Sequence, residues 1–127
     1  MATPCSEGGS DSFINAVDVI LCPAGPGAAG PLNQAKYWGY TSQWNLLDYP
    51  ALVFPVTKVD PEVDVVEQDY EPRNEDDEFN HKLYEPAVYK NAPVGLQLVG
   101  RRYEDEKVIL ALEFVQERIG VRFGSIV

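Results

Sequence analysis

The sequence predicts an α/β fold in which short strands are flanked by helices, within one domain that spans residues 1–127. Three short runs of β-branched and other apolar residues are bounded by proline or glycine, which is typical of buried strands. Two longer stretches repeat their apolar residues every three or four positions, which indicates helices that bury one face. With 127 residues, 45% of them hydrophobic, the chain is long enough for one modest core and too short for two.

The three predicted strands are Val17–Cys22, Ala51–Val56 and Val94–Val99. Pro23 ends the first strand, because proline has no N–H to donate to a neighbouring strand. Because Pro55 also lacks an N–H, the second strand is predicted either to lie at an edge of the sheet or to end near this residue. Three short strands are few for two amphipathic helices, so we expect an incomplete sheet with open edges.

The clearest helix is predicted over Glu104–Ile119, and Gly120 suits the left-handed position that ends such a helix. The predicted buried face of this helix consists of Val108, Leu112, Val115 and Ile119. A second helix is predicted from Asn33 or Gln34 to about Leu47, before proline at position 50. Its apolar stripe consists of Tyr37, Tyr40 or Thr41, Trp44 and Leu47. Both helices need a sheet to cover these faces.

Most of the negative charge lies in one segment. The net charge of the chain is −10, and eleven acidic residues between Asp60 and Glu85 are opposed there only by Arg73 and Lys82. Proline and adjacent like charges favour a long surface loop, so residues 58–85 are predicted to be an acidic loop insertion with a helical turn or two at 77–84. Residues 1–11, which are small, polar and rich in glycine, are predicted to be a flexible lead-in.

The composition argues against several classes of partner. An acidic chain repels phosphate backbones, and no basic amphipathic stretch or long apolar run favours a membrane, so neither nucleic acid nor membrane is expected as a partner. The first residues have neither a basic start nor an apolar core, which favours a cytoplasmic location with reduced cysteines. No cofactor is expected.

Two arrangements of residues could in principle form a metal site or a nucleophile, but each has a simpler interpretation. The carboxylates at 60, 62, 64 and 71 stand at four ligand positions of an EF-hand loop, but Val65 occupies the place of its required glycine, which favours a solvated loop. One histidine, His81, and two cysteines, Cys5 and Cys22, are too few for a zinc site, and Cys22 with His81 would be the one possible Cys-His pair. A cysteine at the end of an apolar strand is more often a small buried side chain than a nucleophile, so we expect neither metal nor catalytic residues.

Four segments, taken in order, carry a family resemblance. They are Asp18–Pro23 (DVILCP), Tyr40–Ala51 (YTSQWNLLDYPA), Pro93–Arg101 (PVGLQLVGR) and the final helix. Together they resemble the C-terminal region of amidase-signature hydrolases, in particular the fungal acetamidase or general amidase type. The resemblance covers residues 16–120 and implies the C-terminal part of that family's mixed-sheet α/β/α fold.

The resemblance also implies a chemistry. The family hydrolyses carboxylic acid amides to acid and ammonia with two serines and a lysine, in a glycine- and serine-rich region upstream of the one matched here. None of the five lysines and no serine pair of this sequence fits that pattern, so we expect no hydrolysis by this chain alone. The loop from Pro23 to Gly30 and the side chains of Tyr40, Trp44 and Asn45 are implied to wall the substrate pocket.

Other interpretations of the same residues stay open at this point. Tyr40 and Trp44 would serve equally well in plain core packing, and Asn45 would serve in hydrogen bonds to backbone carbonyls. The chain as a whole is part of an amidase, a degenerate remnant of one that binds protein, or a remnant with no function. Its expected partners are a small-molecule amide, the missing amidase portion, or a second copy of itself.

Overall fold

The computed structural model describes residues 17–120, and the predicted lead-in over residues 1–11 lies outside them. The elements follow in the order β1 (Ile20–Pro23), α1 (Gly39–Leu47), β2 (Ala51–Lys58), α2 (Glu75–Leu83), β3 (Pro93–Val99) and α3 (Asp105–Ile119). The α/β prediction is confirmed. Among the described residues, no helix is long and apolar enough to span a membrane.

The three strands form one antiparallel sheet with β3 in the centre, in the order β1-β3-β2. Pro55 lies in an edge strand, as its missing N–H predicts. The strand nevertheless continues past Pro55 to Lys58, because the register shifts at a bulge between Pro55 and Thr57. β1 begins at Ile20 rather than Val17, so it is shorter than the predicted strand.

The core lies between α3 and one face of the sheet. Phe54, Leu98 and Val108 are each at most 5% exposed. The partly buried side chains packed around them are Val19, Leu52, Val56, Leu96, Ala111, Leu112 and Val115. The predicted inner face of α3 is therefore confirmed up to Val115. Ile119 is the exception, since it lies past this cluster and is 54% exposed.

The helix α1 is shorter than the sequence predicts. It begins at Gly39 rather than at Asn33 or Gln34. Asn33 adopts a left-handed conformation with φ of 63° that no α-helix accommodates, and irregular backbone continues from there to Trp38. Tyr37 consequently lies before the helix, with its ring edge-on to that of Tyr40 at 5.8 Å. Asp48, also left-handed at φ 58°, ends α1.

The acidic segment contains a full helix rather than a turn or two. Asn74 Oδ1 accepts a hydrogen bond from the Asp77 N–H at 2.9 Å, which caps the first turn of α2. Four acidic residues in that first turn, with His81 and Lys82 in the last, complement the helix dipole. Capping and charge placement thus stabilise α2 without any fully buried side chain.

A pair of backbone hydrogen bonds closes the base of this segment. The Val59 N–H donates to Ala92 O at 2.9 Å, and the Asn91 N–H donates to Val59 O at 3.0 Å. Val59 and Tyr89 are only 5% and 6% exposed, so each end of the segment is anchored by a buried side chain. The segment therefore leaves the sheet after β2 and returns to it before β3 at the same place.

Candidate functional site

Gln97 organises the sheet face opposite α3. It lies between Leu96 and Leu98 in the central strand, and since successive side chains alternate, it points away from the core. Its Nε2 donates to Pro23 O at 2.7 Å and to Tyr40 O at 2.8 Å, while the side chain is 1% exposed. One amide group thereby fixes both the end of β1, where the following loop begins, and the first turn of α1 to the central strand.

Sequence reasoning did not single out Gln97. The available signal was a lone polar side chain in the middle of an otherwise apolar strand, where a buried amide must find hydrogen-bond partners. Its Oε1 is buried too, and within residues 17–120 it has no hydrogen-bond partner. The donor side of this amide is therefore satisfied, and its acceptor side is open.

Next to Gln97 the loop after β1 builds an apolar groove of about 380 Å³. The loop is joined to β3 by two backbone hydrogen bonds, from Ala24 N to Gly95 O at 3.3 Å and from Ala29 N to Pro93 O at 2.9 Å. The groove is lined by loop residues 24–29 together with Val53, Pro55, Pro93 and Gly95. None of these side chains is charged, so the groove fits an apolar group.

Gly95 keeps this groove open. A Cβ atom at this position would lie 3.4 Å from Val53 Cγ1 and 3.6 Å from the Cβ of Ala24. Any side chain larger than alanine would extend into the space between the loop and β2. The sequence prediction that the Pro23–Gly30 loop borders a pocket agrees with this geometry, although its role toward a substrate stays a prediction.

The three side chains expected at the pocket wall are not brought together in one cavity. Tyr40 is half-buried, and its carbonyl oxygen holds Gln97. Trp44 and Asn45 line a different cavity of about 260 Å³, beside Tyr49 and Arg102. The indole of Trp44 stacks on the Tyr49 ring at 6.4 Å, while Asn45 is exposed. Trp44 Nε1 is buried with no partner among the described residues.

A larger cleft of about 620 Å³ lies between the acidic segment and the residues that precede α1. The polar side chains that line this cleft form hydrogen bonds and a ring stack with one another. Tyr70 donates to Asp77 Oδ1 at 2.7 Å, and this hydrogen bond raises the pKa of Tyr70. The pKa of Asp77 is lowered, first by the hydrogen bond from the Arg73 N–H and then by that from Tyr70. His81 stacks on Tyr70 with ring centroids 4.3 Å apart.

A second tyrosine closes the same cleft. Tyr84 donates to Asp64 O at 2.7 Å, and desolvation raises its pKa. The Lys36 ammonium group lies 3.8 Å from the centre of the Phe79 ring. The tyrosine contacts join parts of the acidic segment to one another, while the Lys36–Phe79 contact joins the segment to the residues before α1. We assign them a structural role.

The carboxylates of the EF-hand-like loop, Cys22 and His81 have the following surroundings in the structure. Over residues 17–120, no group of three or more histidine, cysteine or acidic side chains is placed to hold a metal ion. Asp64 Oδ2 accepts from the Asp60 N–H at 2.8 Å, so these carboxylates stabilise a turn. Cys22 is a half-buried free thiol in β1, and His81 Nε2 lies 3.2 Å from Glu67 O.

Comparison with known proteins identifies the family. The family model described as Amidase matches residues 9–109. A Schizosaccharomyces pombe relative that carries the amidase name is 57% identical over 97 residues, which is 76% of this chain and 18% of the relative. The acetamidase of Aspergillus oryzae is 38% identical over 104 residues, covering 82% of this chain and 19% of the enzyme.

A solved structure agrees with the sequence comparisons. A fatty acid amide hydrolase superposes with a TM-score of 0.74 at 37% identity, over 83% of this chain and 19% of that one. The chain thus spans about a fifth of the length of the relatives it matches, and that fifth is their C-terminal region. The fold, the family model and the relatives lead to one conclusion: this chain belongs to the amidase family.

Proposed function

We propose that this chain forms one wall of the substrate pocket in an amidase that hydrolyses carboxylic acid amides. The observation that carries the proposal is the apolar groove along Val53 and Gly95, which Gln97 holds in place from the centre of the sheet. An uncharged groove fits the acyl group of an amide, whose polar end must lie elsewhere. In the reaction, water adds across the C–N bond, so that each amide yields one carboxylic acid and one ammonia.

The reacting groups would come from the part of the amidase that this sequence does not contain. The family resemblance implies a serine nucleophile, a second serine and a lysine base, and none of them matches a position here. Completion of the site by the remaining four fifths of an amidase, in the same polypeptide or in another, is therefore part of the proposal. The comparisons lend no support to the protein-binding alternative.

Three finer points belong to the same proposal. Tyr40 would shape the pocket through the backbone that Gln97 holds, whereas Trp44 and Asn45 would contact substrate only if the second cavity opens toward it in the complete enzyme. A simple aliphatic amide, as in the acetamidases, is the substrate class that we propose first. We further propose a cytoplasmic location, which cell fractionation would check.

The test measures ammonia released from acetamide and longer aliphatic amides. The chain alone should release none above the buffer blank. Joined to the part of the S. pombe relative that lies outside the matched 97 residues, it should restore hydrolysis. Val53→Glu should then raise KM for the longer amides at least tenfold, because it places a charge in the groove. Ala51→Glu, at an exposed position of the same strand but outside the groove, is the matched control.

Two results would contradict the proposal. One is turnover by the chain alone that a serine-directed inhibitor abolishes. The other is a restored enzyme in which Val53→Glu and Ala51→Glu have the same KM as the parent, because the groove would then have no contact with substrate.

A further inference from the structure

The cleft beside the acidic segment contains a tyrosine hydroxyl that the fold does not use. Tyr89 is only 6% exposed, yet it lines this cleft of about 620 Å³. Tyr70 and Tyr84, which line the same cleft, both donate hydrogen bonds from their hydroxyl groups. The Tyr89 hydroxyl has no hydrogen-bond partner in the part of the chain that the structure describes. Since a buried tyrosine usually finds such a partner, its free hydroxyl indicates a place for a ligand.

This hydroxyl points into the cleft toward Gly30. A Cβ atom at position 30 would lie 3.2 Å from the Tyr89 oxygen, and Gly30 lines the cleft as well. Any residue other than glycine would therefore occupy the space in front of the hydroxyl. Glycine leaves this space open, so that an atom of a ligand can lie within hydrogen-bond distance of Tyr89.

The charge of the cleft favours a cation. Asp64, Glu67 and Asp77 line it, and none of the three forms an ion pair within the described ranges. Lys36 and Lys58 line it too, so carboxylates outnumber ammonium groups by three to two at the wall itself. The acidic segment as a whole adds a further excess of negative charge. Such a field attracts cations and repels anions.

Aromatic rings form the wall around the free hydroxyl. The Tyr84 ring meets the Tyr89 ring at 5.0 Å, with the two planes 60° apart. The Tyr84 hydroxyl donates to Asp64 O, which brings a carboxylate residue next to this pair of rings. Aromatic faces beside a negative charge suit organic cations. Lys36 illustrates this preference, because its ammonium group lies 3.8 Å from the centre of the Phe79 ring.

We propose that this cleft is a binding site for a primary alkylammonium ion. One N–H of the ammonium group donates to the Tyr89 hydroxyl oxygen in the space in front of Gly30, and the cation lies against the Tyr84 ring with Asp64 as its counter-charge. Burial raises the pKa of Tyr89, so the phenol is uncharged at neutral pH and its oxygen accepts the hydrogen bond. A cavity of this volume accommodates a small organic molecule.

The site is separate from the apolar groove and does not depend on amide hydrolysis. Residues 26–28 line both cavities, one on each side of the loop after β1. An uncharged amide would gain little from the carboxylates of the cleft, whereas an ammonium group provides both the charge and the N–H donors that the cleft lacks. The chemistry of the two cavities therefore selects different ligands.

The test titrates the chain with n-butylammonium chloride and follows the backbone amide signals of Gly30 and Tyr89 by NMR. Both signals should shift and reach a plateau, while sodium chloride at the same ionic strength should leave them in place. Tetramethylammonium has the charge but no N–H, and should bind at least about fivefold more weakly. Butyrate has the opposite charge and should produce no plateau.

Two substitutions address the groups that hold the cation. Tyr89→Phe removes only the hydroxyl and should weaken butylammonium binding at least about fivefold. Asp64→Asn removes one exposed negative charge and should weaken it by about two- to fivefold. Tyr103→Phe and Glu113→Gln make the same chemical changes at exposed positions outside the cleft, and these controls should stay within about twofold of the parent.

A third substitution addresses the space in front of the hydroxyl. Gly30→Ala places its Cβ there and should weaken binding at least as much as Tyr89→Phe. Gly27→Ala is its control in the same loop, because a Cβ at position 27 meets no atom within 4 Å. Equal circular dichroism spectra and melting temperatures would show that these variants fold alike.

Three results would overturn the proposed site. They are the absence of a plateau with butylammonium, equal affinity for butylammonium and tetramethylammonium, and equal affinity of Tyr89→Phe and the parent chain. The last two would reduce the effect to a diffuse attraction between a cation and an acidic surface. Because every measurement uses this chain by itself, failure of the joined enzyme to hydrolyse amides would contradict the proposed function and leave this site standing.

Discussion

The forces that stabilise the sheet and α3 differ from those that stabilise the acidic segment. In the first, Phe54, Leu98 and Val108 bury apolar surface between two layers. In the second, α2 contains no fully buried residue, and side chains such as Tyr70 and Tyr84 donate to a carboxylate and a carbonyl oxygen at the surface. Apolar burial gives larger and less condition-dependent stability than exposed polar contacts, so the two regions should respond very differently to substitution and to pH.

The largest expected effect is in the core. Leu98→Ala removes a side chain that is 3% exposed, and should lower the free energy of unfolding by about 2–5 kcal/mol. Urea unfolding followed by tryptophan fluorescence would measure the loss. Leu46→Ala, at a helix position that is 86% exposed, is the control and should change it by less than about 0.5 kcal/mol. Similar losses for both would contradict the placement of the core.

A smaller loss of stability is expected at Gln97, which joins α1 and the end of β1 to the central strand. Gln97→Met keeps the volume but removes the hydrogen bonds to Pro23 O and Tyr40 O, and should cost about 1–3 kcal/mol. Hydrogen exchange should accelerate in α1 while α3 stays protected. If α1 and α3 were to lose protection equally, Gln97 would be part of the general core and not the group that fixes α1.

The cap of α2 should matter less again, and only locally. Asn74→Ala removes the acceptor for the Asp77 N–H and should destabilise this helix by about 0.5–2 kcal/mol. Limited proteolysis should then cut the acidic segment sooner, between residues 60 and 78. The substitution Gln43→Ala, at an exposed position of α1 outside the segment, serves as a control for general loosening. An unchanged cleavage rate for Asn74→Ala would contradict the capping role.

The smallest effect concerns pH. The pKa of Asp77 is lowered in the folded chain, so its stabilising contribution is present above the unfolded value near pH 4 and is lost as the pH falls through the folded value. The protection of α2 amides against hydrogen exchange, relative to the unstructured rate at the same pH, should therefore fall below about pH 4, and Asp77→Asn should remove much of that dependence. A parallel loss of protection in β3 would assign the transition to the whole fold.

The same contrast explains what could be predicted from the sequence. Strands and the inner face of α3 follow from apolar periodicity, so Leu98 and Val108 lie where the pattern places them. The start of α1 could not be predicted, because the left-handed conformation of Asn33 is a local choice within a loop of ambiguous composition. The exposure of Ile119 depends on where the sheet beneath it ends, which no pattern within the helix encodes.

The candidate site was predictable only in part. The loop after Pro23 was expected at a pocket because a family resemblance placed it there, and proline with glycine made it irregular. Gln97 was missed, since its role depends on two carbonyl oxygens 57 and 74 positions away in the sequence. The separation of Trp44 and Asn45 from the groove likewise depends on how α1 lies across the sheet, and helical spacing alone does not determine that.

The paired hydrogen bonds between Val59 and residues 91–92 have a consequence for how this part of the fold can vary. They close the base of residues 60–90, so the distance that the intervening chain must span is the same whatever its length. Chain length between fixed ends costs little free energy, roughly 0.6 kcal/mol for each doubling. Insertions, deletions or a different sequence that keep Val59 and Tyr89 buried at the two ends should therefore leave the pairing of β2 with β3 unchanged, so that the position would accept an exchangeable module.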